Sequence, residues 1–166
     1  AFGNAIQLLG PTIDENPNWS ININNFEYTA TLSAIVTLNG LQLTGGILAA
    51  FVGDEIRGIA DSEDGKWSTS PITGDTIISM VLYSNLSQGE TINFSYYDRK
   101  FLYNISDTIE FIANGSFGNA ISPLIFALSS NTAPVVYNTE VSVDEDNSIN
   151  IILIGEDLEA DILTYE

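Results

Sequence analysis

Apolar and polar residues alternate most strictly from Tyr28 to Leu38. Tyr28, Ala30, Leu32, Ala34, Val36 and Leu38 fall on one side, Thr29, Thr31, Ser33 and Thr37 on the other, and Ile35 alone breaks the pattern. A period of two predicts a strand with one buried and one wet face. Asn39-Gly40 then supplies a two-residue hairpin turn, because both residues tolerate positive φ, and Leu41-Gln42-Leu43 returns from it. The stretch from Ile47 to Ala60, ILAAFVGDEIRGIA, reads as a second hairpin turning at Gly53-Asp54, expected at the heart of a sheet. Thr76 to Tyr83 is apolar on both faces, and Thr91 to Asp98 places Ile92, Phe94 and Tyr96 on one side. Shorter strands are predicted at Phe101–Ile105, Thr108–Ala113 and Ile121–Leu128, with Asn114-Gly115 as another turn, an alternation beginning at Trp19–Ile23, and an edge strand starting at Lys66-Trp67. No segment carries a helical period. Nine or ten short strands at this spacing predict an all-β fold, an antiparallel β-sandwich of immunoglobulin-like or jelly-roll type.

Proline-rich and polar stretches divide the chain. PTIDENPN at 11–18 and SSNTAP at 129–134 read as linkers, which sets a sandwich repeat at 11–130 and a further segment at 131–166. In that last segment, strands are expected at Val141–Val143 and Asn150–Ile154 around an acidic turn. Only 33 residues follow Ala133, and units below about 40 residues rarely bury a sufficient core. Residues 131–166 are therefore expected to be the first part of a second Ig-like β domain. Phe-Gly-Asn-Ala-Ile occurs at Phe2–Ile6 and again at Phe117–Ile121. A five-residue identity at that separation predicts a tandem array of domains, with residues 1–10 as the tail of a preceding repeat. The other reading makes the two copies similar edge strands of one domain.

Charge narrows the partners. There are 22 acidic residues against four basic ones, a formal net charge of −18. Such a surface repels nucleic acid and anionic lipid and attracts divalent cations; its plainest use is to keep a secreted protein soluble. With no Cys and no His, thiolate and imidazole metal sites, Cys nucleophiles and Ser-His-Asp arrangements are all excluded. No stretch is long and apolar enough to span a bilayer as a helix, so membrane insertion is not expected.

The final residues, from NTAPVV to DILTYE, resemble the opening of a bacterial cadherin-like, immunoglobulin-type repeat. The match lies in Asn131, Ala133 and Pro134, then Val141 with Glu145 and Asp146, then Asp157, Asp161, Leu163, Thr164 and Tyr165. Residues 12–128 resemble a repeat of very large secreted surface proteins of Bacteroidota, through Trp19, Tyr28, Ala49 to Ala60, and Phe94, Tyr97 and Asp98. The resemblances imply an extracellular, cell-surface location, tandem modules of adhesins, and calcium at domain junctions.

Asp144, Glu145, Asp146, Asp157, Glu159 and Asp161 could supply carboxylate oxygens to Ca2+, a hard cation taking six to eight of them. The Asp61–Gly65 loop, DSEDG, is a shorter candidate without the final Glu of a full calcium loop. Arg57 is expected to be a buried ion-pair partner of a carboxylate such as Asp98 or Glu55, since a buried charge without one is strongly unfavourable; alternatively it grips a ligand. Trp19, Phe51, Arg57 and Asp98 are expected to be structural, Trp19 inside the core. Trp67, beside a polar loop, is the aromatic expected to be exposed. It could form a sugar-stacking platform with Trp19, Tyr96, Tyr97 and Tyr103. No pair of acids is marked as poised for glycoside hydrolysis. The expected function is non-enzymatic: a structural and adhesive repeat whose partners are neighbouring repeats, glycans or other copies of the protein. The alternative is a carbohydrate-binding module of a secreted multidomain protein, with Trp67 and Arg57 contacting the ligand.

Overall fold

The computed structural model describes residues 12–13, 17–129, 135–136, 141–146, 148, 150 and 155–156. The chain divides into two units, Pro11–Ser129 and a second formed by Ala1–Gly10 with Ser130–Glu166. The first unit contains β1 (Thr12–Ile13), β2 (Tyr28–Leu38), β3 (Leu41–Gln42), β4 (Ile47–Val52), β5 (Glu55–Asp61), β6 (Trp67–Thr69), β7 (Thr76–Ser84), β8 (Gln88–Tyr97), β9 (Phe101–Ile112), β10 (Ser116–Phe117) and β11 (Leu124–Leu128). One sheet has the order β1-β9-β8-β4-β5; the other has β10-β2-β7-β6, with β3 and β11 also paired to β2. The unit is an all-β sandwich. In the second unit β12 (Val135–Val136) pairs antiparallel with β13 (Gly155–Glu156), and the expected strand at 141–143 is not formed.

The long alternating strand is where its pattern predicts. Ala30, Leu32, Ala34 and Val36 of β2 are buried beside Phe126 of β11 in the same sheet and share one core with Leu48 and Ala50 of β4 and Ile92, Phe94 and Tyr96 of β8 in the other. Phe94 and Phe126 meet with ring centroids 4.8 Å apart. The Asn39-Gly40 turn takes φ of +51° and +79°, as its hairpin geometry requires. β5 lies at the edge of its sheet rather than at its heart, and this edge closes against β7 of the other sheet. A Cβ on Gly58 would lie 2.8 Å from the Val81 carbonyl oxygen and 2.7 Å from Met80 Sδ, so the approach depends on glycine.

Three expectations change. Trp19–Ile23 is not a strand; Asn22 caps a 3-10 turn at Ile23–Asn25 through the Asn24 N–H. The two strands predicted between Phe101 and Ala113 are one, β9, whose register with β8 slips between Ile92 and Phe94. The sheets are not wholly antiparallel, because β10 and β11 both run parallel to β2. They lie on one edge of β2, opposite β7, and form a single strand interrupted in the middle. β10 leaves at the Phe117–Leu32 pair and β11 rejoins at Leu124–Ala34. While β2 advances past Ser33 alone, its partner makes an excursion from Gly118 to Pro123. Gly118 takes φ +69°, and a Cβ there would fall on the Ser33 carbonyl oxygen. Asn119 Oδ1 accepts from the N–H groups of Ile121 and Ser122, both at 2.9 Å. At the far end of the loop, the buried Ser70 hydroxyl donates to the Ala120 carbonyl at 3.3 Å. The copy of the repeated motif at Phe117–Ile121 thus forms a strand interruption. The other copy, Phe2–Ile6, lies outside the described residues.

Candidate functional site

Arg57 sits at a β-bulge. Ala50 pairs with Gly58 and Phe51 with Ile56, which leaves Arg57 as the extra residue of β5. A bulge re-aims the side chain beside it, and here it turns a guanidinium into one end of the sandwich, where it is 6% exposed. Arg57 Nη2 lies 2.8 Å from Glu90 Oε1 and 3.2 Å from Glu55 Oε2. The Glu90 side chain is 12% exposed and that of Glu55 59%; the pair with Glu90 therefore carries the compensation, in a medium where screening is weak. The other Glu90 oxygen meets the hydroxyl of buried Ser84, which accepts the Leu86 N–H at 2.8 Å. Phe26 lies 5.1 Å from the guanidinium carbon, in cation–π contact. Among the described residues, Arg57 Nε and Nη1 are buried without an acceptor.

Of the carboxylates expected beside Arg57, Glu55 is there at the rim and Asp98 is not. Asp98 organises its own turn, accepting from the Lys100 and Phe101 N–H groups, at 2.9 and 2.6 Å, and from the Tyr103 hydroxyl at 3.3 Å. Glu90 and Ser84 escaped the sequence reading, yet a signal was present. Glu90 is in phase with Ile92, Phe94 and Tyr96, and a charge on a buried face needs a buried partner.

The aromatics sort differently from expectation. Trp67 is half-buried rather than exposed. Its Nε1–H donates to the Ala60 carbonyl at 3.0 Å, and its ring packs 6.3 Å from that of Tyr96, pinning β6 of one sheet to β5 of the other. Trp19 is not in the core: it meets Phe51 edge-on at 5.6 Å, and Phe51 points to the outer face of its sheet. Tyr96, Tyr97 and Tyr103 are buried and offer no platform. Burial pushes the Tyr96 hydroxyl well above the ordinary tyrosine range, and the nearby Asp98 charge adds to the shift. Replacing Trp67 with Phe removes one hydrogen bond and leaves the Ala60 carbonyl without that donor. The expected cost is about 1–2 kcal/mol, read as a melting temperature lower by about 3–8 °C; an unchanged melt would show that the pin carries no load.

The acidic stretches are apart from this cluster. In the DSEDG loop, Asp61 caps a 3-10 turn through the Glu63 N–H at 2.9 Å, and Arg99 pairs with Asp61 and, at 3.2 Å, with Glu63. The Arg99 guanidinium thus occupies these carboxylates in place of the metal ion the sequence suggests. Asp144, Glu145 and Asp146 lie in an exposed turn with Asp146 at φ +63°. Asp157, Glu159 and Asp161 lie outside the described residues. Among the described residues no three carboxylates converge to hold a metal ion.

The described residues also form concavities. A groove of about 440 Å³ opens where β5 and β7 approach, walled by Ile21, Ile23, Ile59, Val81 and Tyr83. Its lysine, Lys66, donates to the Ile59 carbonyl at 2.9 Å. A shallower depression of about 410 Å³ lies on β4, β8 and β9, around Phe51, Asn93, Ser95 and Asn104. Neither gathers a nucleophile, a base and an oxyanion site. No family model, curated protein or solved structure matches the chain.

Proposed function

We propose that the chain is a structural and adhesive repeat of a large extracellular cell-surface protein, without catalytic activity of its own. The observation that carries this reading is the repeated Phe-Gly-Asn-Ala-Ile. In the sandwich those residues build an interruption that needs a β2 strand beside it, with a carbonyl where the glycine Cβ would be. The slot next to β2 is already filled by Ser116–Phe117 and Leu124–Leu128. A second copy of the motif in one chain is best used by a second sandwich, which supports a tandem array. The strong negative charge and the lack of Cys and His suit a secreted rod better than a metalloenzyme or a nucleic-acid binder.

In this reading calcium, held by the acidic turns of residues 144–161, stiffens the junctions between neighbouring modules. Three chains joined head to tail should scatter X-rays as a rod whose greatest dimension grows linearly with copy number. A collapsed particle would oppose the array. Thermal unfolding in millimolar calcium against chelator tests the metal. A site filled to about a hundred times its Kd adds about 2.7 kcal/mol to the unit that holds it, a rise of several degrees; superimposed melts would leave the acidity as a solubility device.

A further inference from the structure

On the outer face of the five-stranded sheet, Phe51 of β4 pairs with Asn93 of β8, and Ser95 pairs with Asn104 of β9. The sheet is irregular on both sides of the Phe51–Asn93 pair. To one side, the register with β5 slips between Ala50 and Phe51; to the other, the register with β9 slips between Ile92 and Phe94. Two slips flanking one row interrupt the ladder there. The depression of about 410 Å³ lies at that row.

Its lining has one character. Phe51 offers a partly exposed ring, fixed from one side by the edge-on contact with Trp19. The Asn93 amide is exposed and makes no hydrogen bond within the described residues. Ser95 Oγ donates to Asn104 Oδ1 at 3.2 Å, which leaves the Asn104 amide N–H groups for an outside acceptor. The exposed Asp54 carboxylate, at the Gly53-Asp54 turn, stands at the rim as an acceptor. Among the described residues no cation lines the depression. An apolar ring face beside amide donors and acceptors fits a molecule with an apolar face and a hydroxylated edge. The Asp54 charge and the −18 of the whole chain disfavour an anionic ligand.

We propose that this row is a binding site for neutral saccharide units, with Phe51 under the sugar ring and Asn93, Asn104 and Asp54 on its hydroxyl groups. The site gives surface attachment a chemistry and rests on the adhesive reading above for where the sugar is met. Affinity electrophoresis of the whole chain tests it, in native gels containing a soluble β-glucan, mannan or galactan, with polygalacturonate as the acidic comparison. Retardation is expected in at least one neutral gel. Phe51→Leu keeps an apolar side chain but loses the ring, and Asn93→Ala removes one amide; each should weaken binding about tenfold, while Thr69→Ala on β6 should not. Because Asn93 is exposed, its variant decides the matter if the Phe51 variant melts lower. Free migration in every neutral gel, retention only by polygalacturonate, or retention equal in both variants would overturn the site. None of these would alter the scattering of joined chains, so the saccharide site and the tandem array stand or fall separately.

Discussion

Alanine at position 90 is expected to lower the melting temperature of the sandwich by about 10–20 °C, the shift that a loss of about 3–5 kcal/mol produces in a domain of this size. The reason is what stays behind. Arg57 remains turned inward by its bulge. Its remaining carboxylate, Glu55, is 59% exposed and 3.2 Å away at the rim, where a charge pair contributes little. Among the described residues, two of the guanidinium nitrogens, Nε and Nη1, already lack acceptors, and Nη2 would lose its 2.8 Å partner as well. Ser84, buried, would also lose the carboxylate beside its hydroxyl. Removing both charges should be far milder. Apolar or neutral side chains of similar volume carry no desolvation penalty, so Arg57→Met with Glu90→Gln is expected to melt well above Glu90→Ala. A double-mutant cycle on the two positions should show a coupling above about 1 kcal/mol. A drop of under about 3 °C for Glu90→Ala would mean that water reaches the pair and that Arg57 is a surface group.

How much of this was written in the sequence depends on the range of the interaction. β2 was legible residue by residue because one of its faces is wet, so burial imprints a period of two on eleven residues. The Asn39-Gly40 and Gly53-Asp54 turns were legible because the positive φ of Asn39, Gly40 and Gly53 selects those residue types. The bulge at Arg57 was not. One extra residue in a run of apolar neighbours leaves the composition unchanged and shows only when two strands are aligned. The parallel pairing of β10 and β11 was hidden for a related reason, since their partner β2 lies about 85 residues upstream and an interrupted strand looks locally like a strand end and a loop. Trp19 was placed in the core because it is large and apolar, but such a residue can equally cover the outer face of a sheet, and Phe51 was there to receive it. The depression beside Phe51 had no local signature at all. It arises where register slips in two neighbouring ladders fall on the same row.

Gly118→Ala carries the second large effect, an expected loss of about 3 kcal/mol or more and a melting temperature lower by about 10 °C or more. Two costs combine. A non-glycine residue at φ +69° is unfavourable by about 1–2 kcal/mol. The new Cβ would also overlap the Ser33 carbonyl oxygen and lie 2.8 Å from the Leu124 N–H nitrogen, both of them backbone atoms of the paired strands that cannot swing away. Gly53→Ala separates the two costs. Gly53 has nearly the same φ, +57°, with nothing within 4 Å of its Cβ position, so only the conformational part is expected there. If Gly118→Ala melts no lower than Gly53→Ala, the close approach is not what fixes glycine in the motif. If it melts much lower, the glycine of Phe-Gly-Asn-Ala-Ile answers to a carbonyl on another strand. The asparagine answers to the two N–H groups it caps within its own loop, and it is the glycine position that has meaning only against a β2 strand. Under the proposed tandem array, Gly3 would be kept for the same reason, against the β2 strand of a neighbouring sandwich.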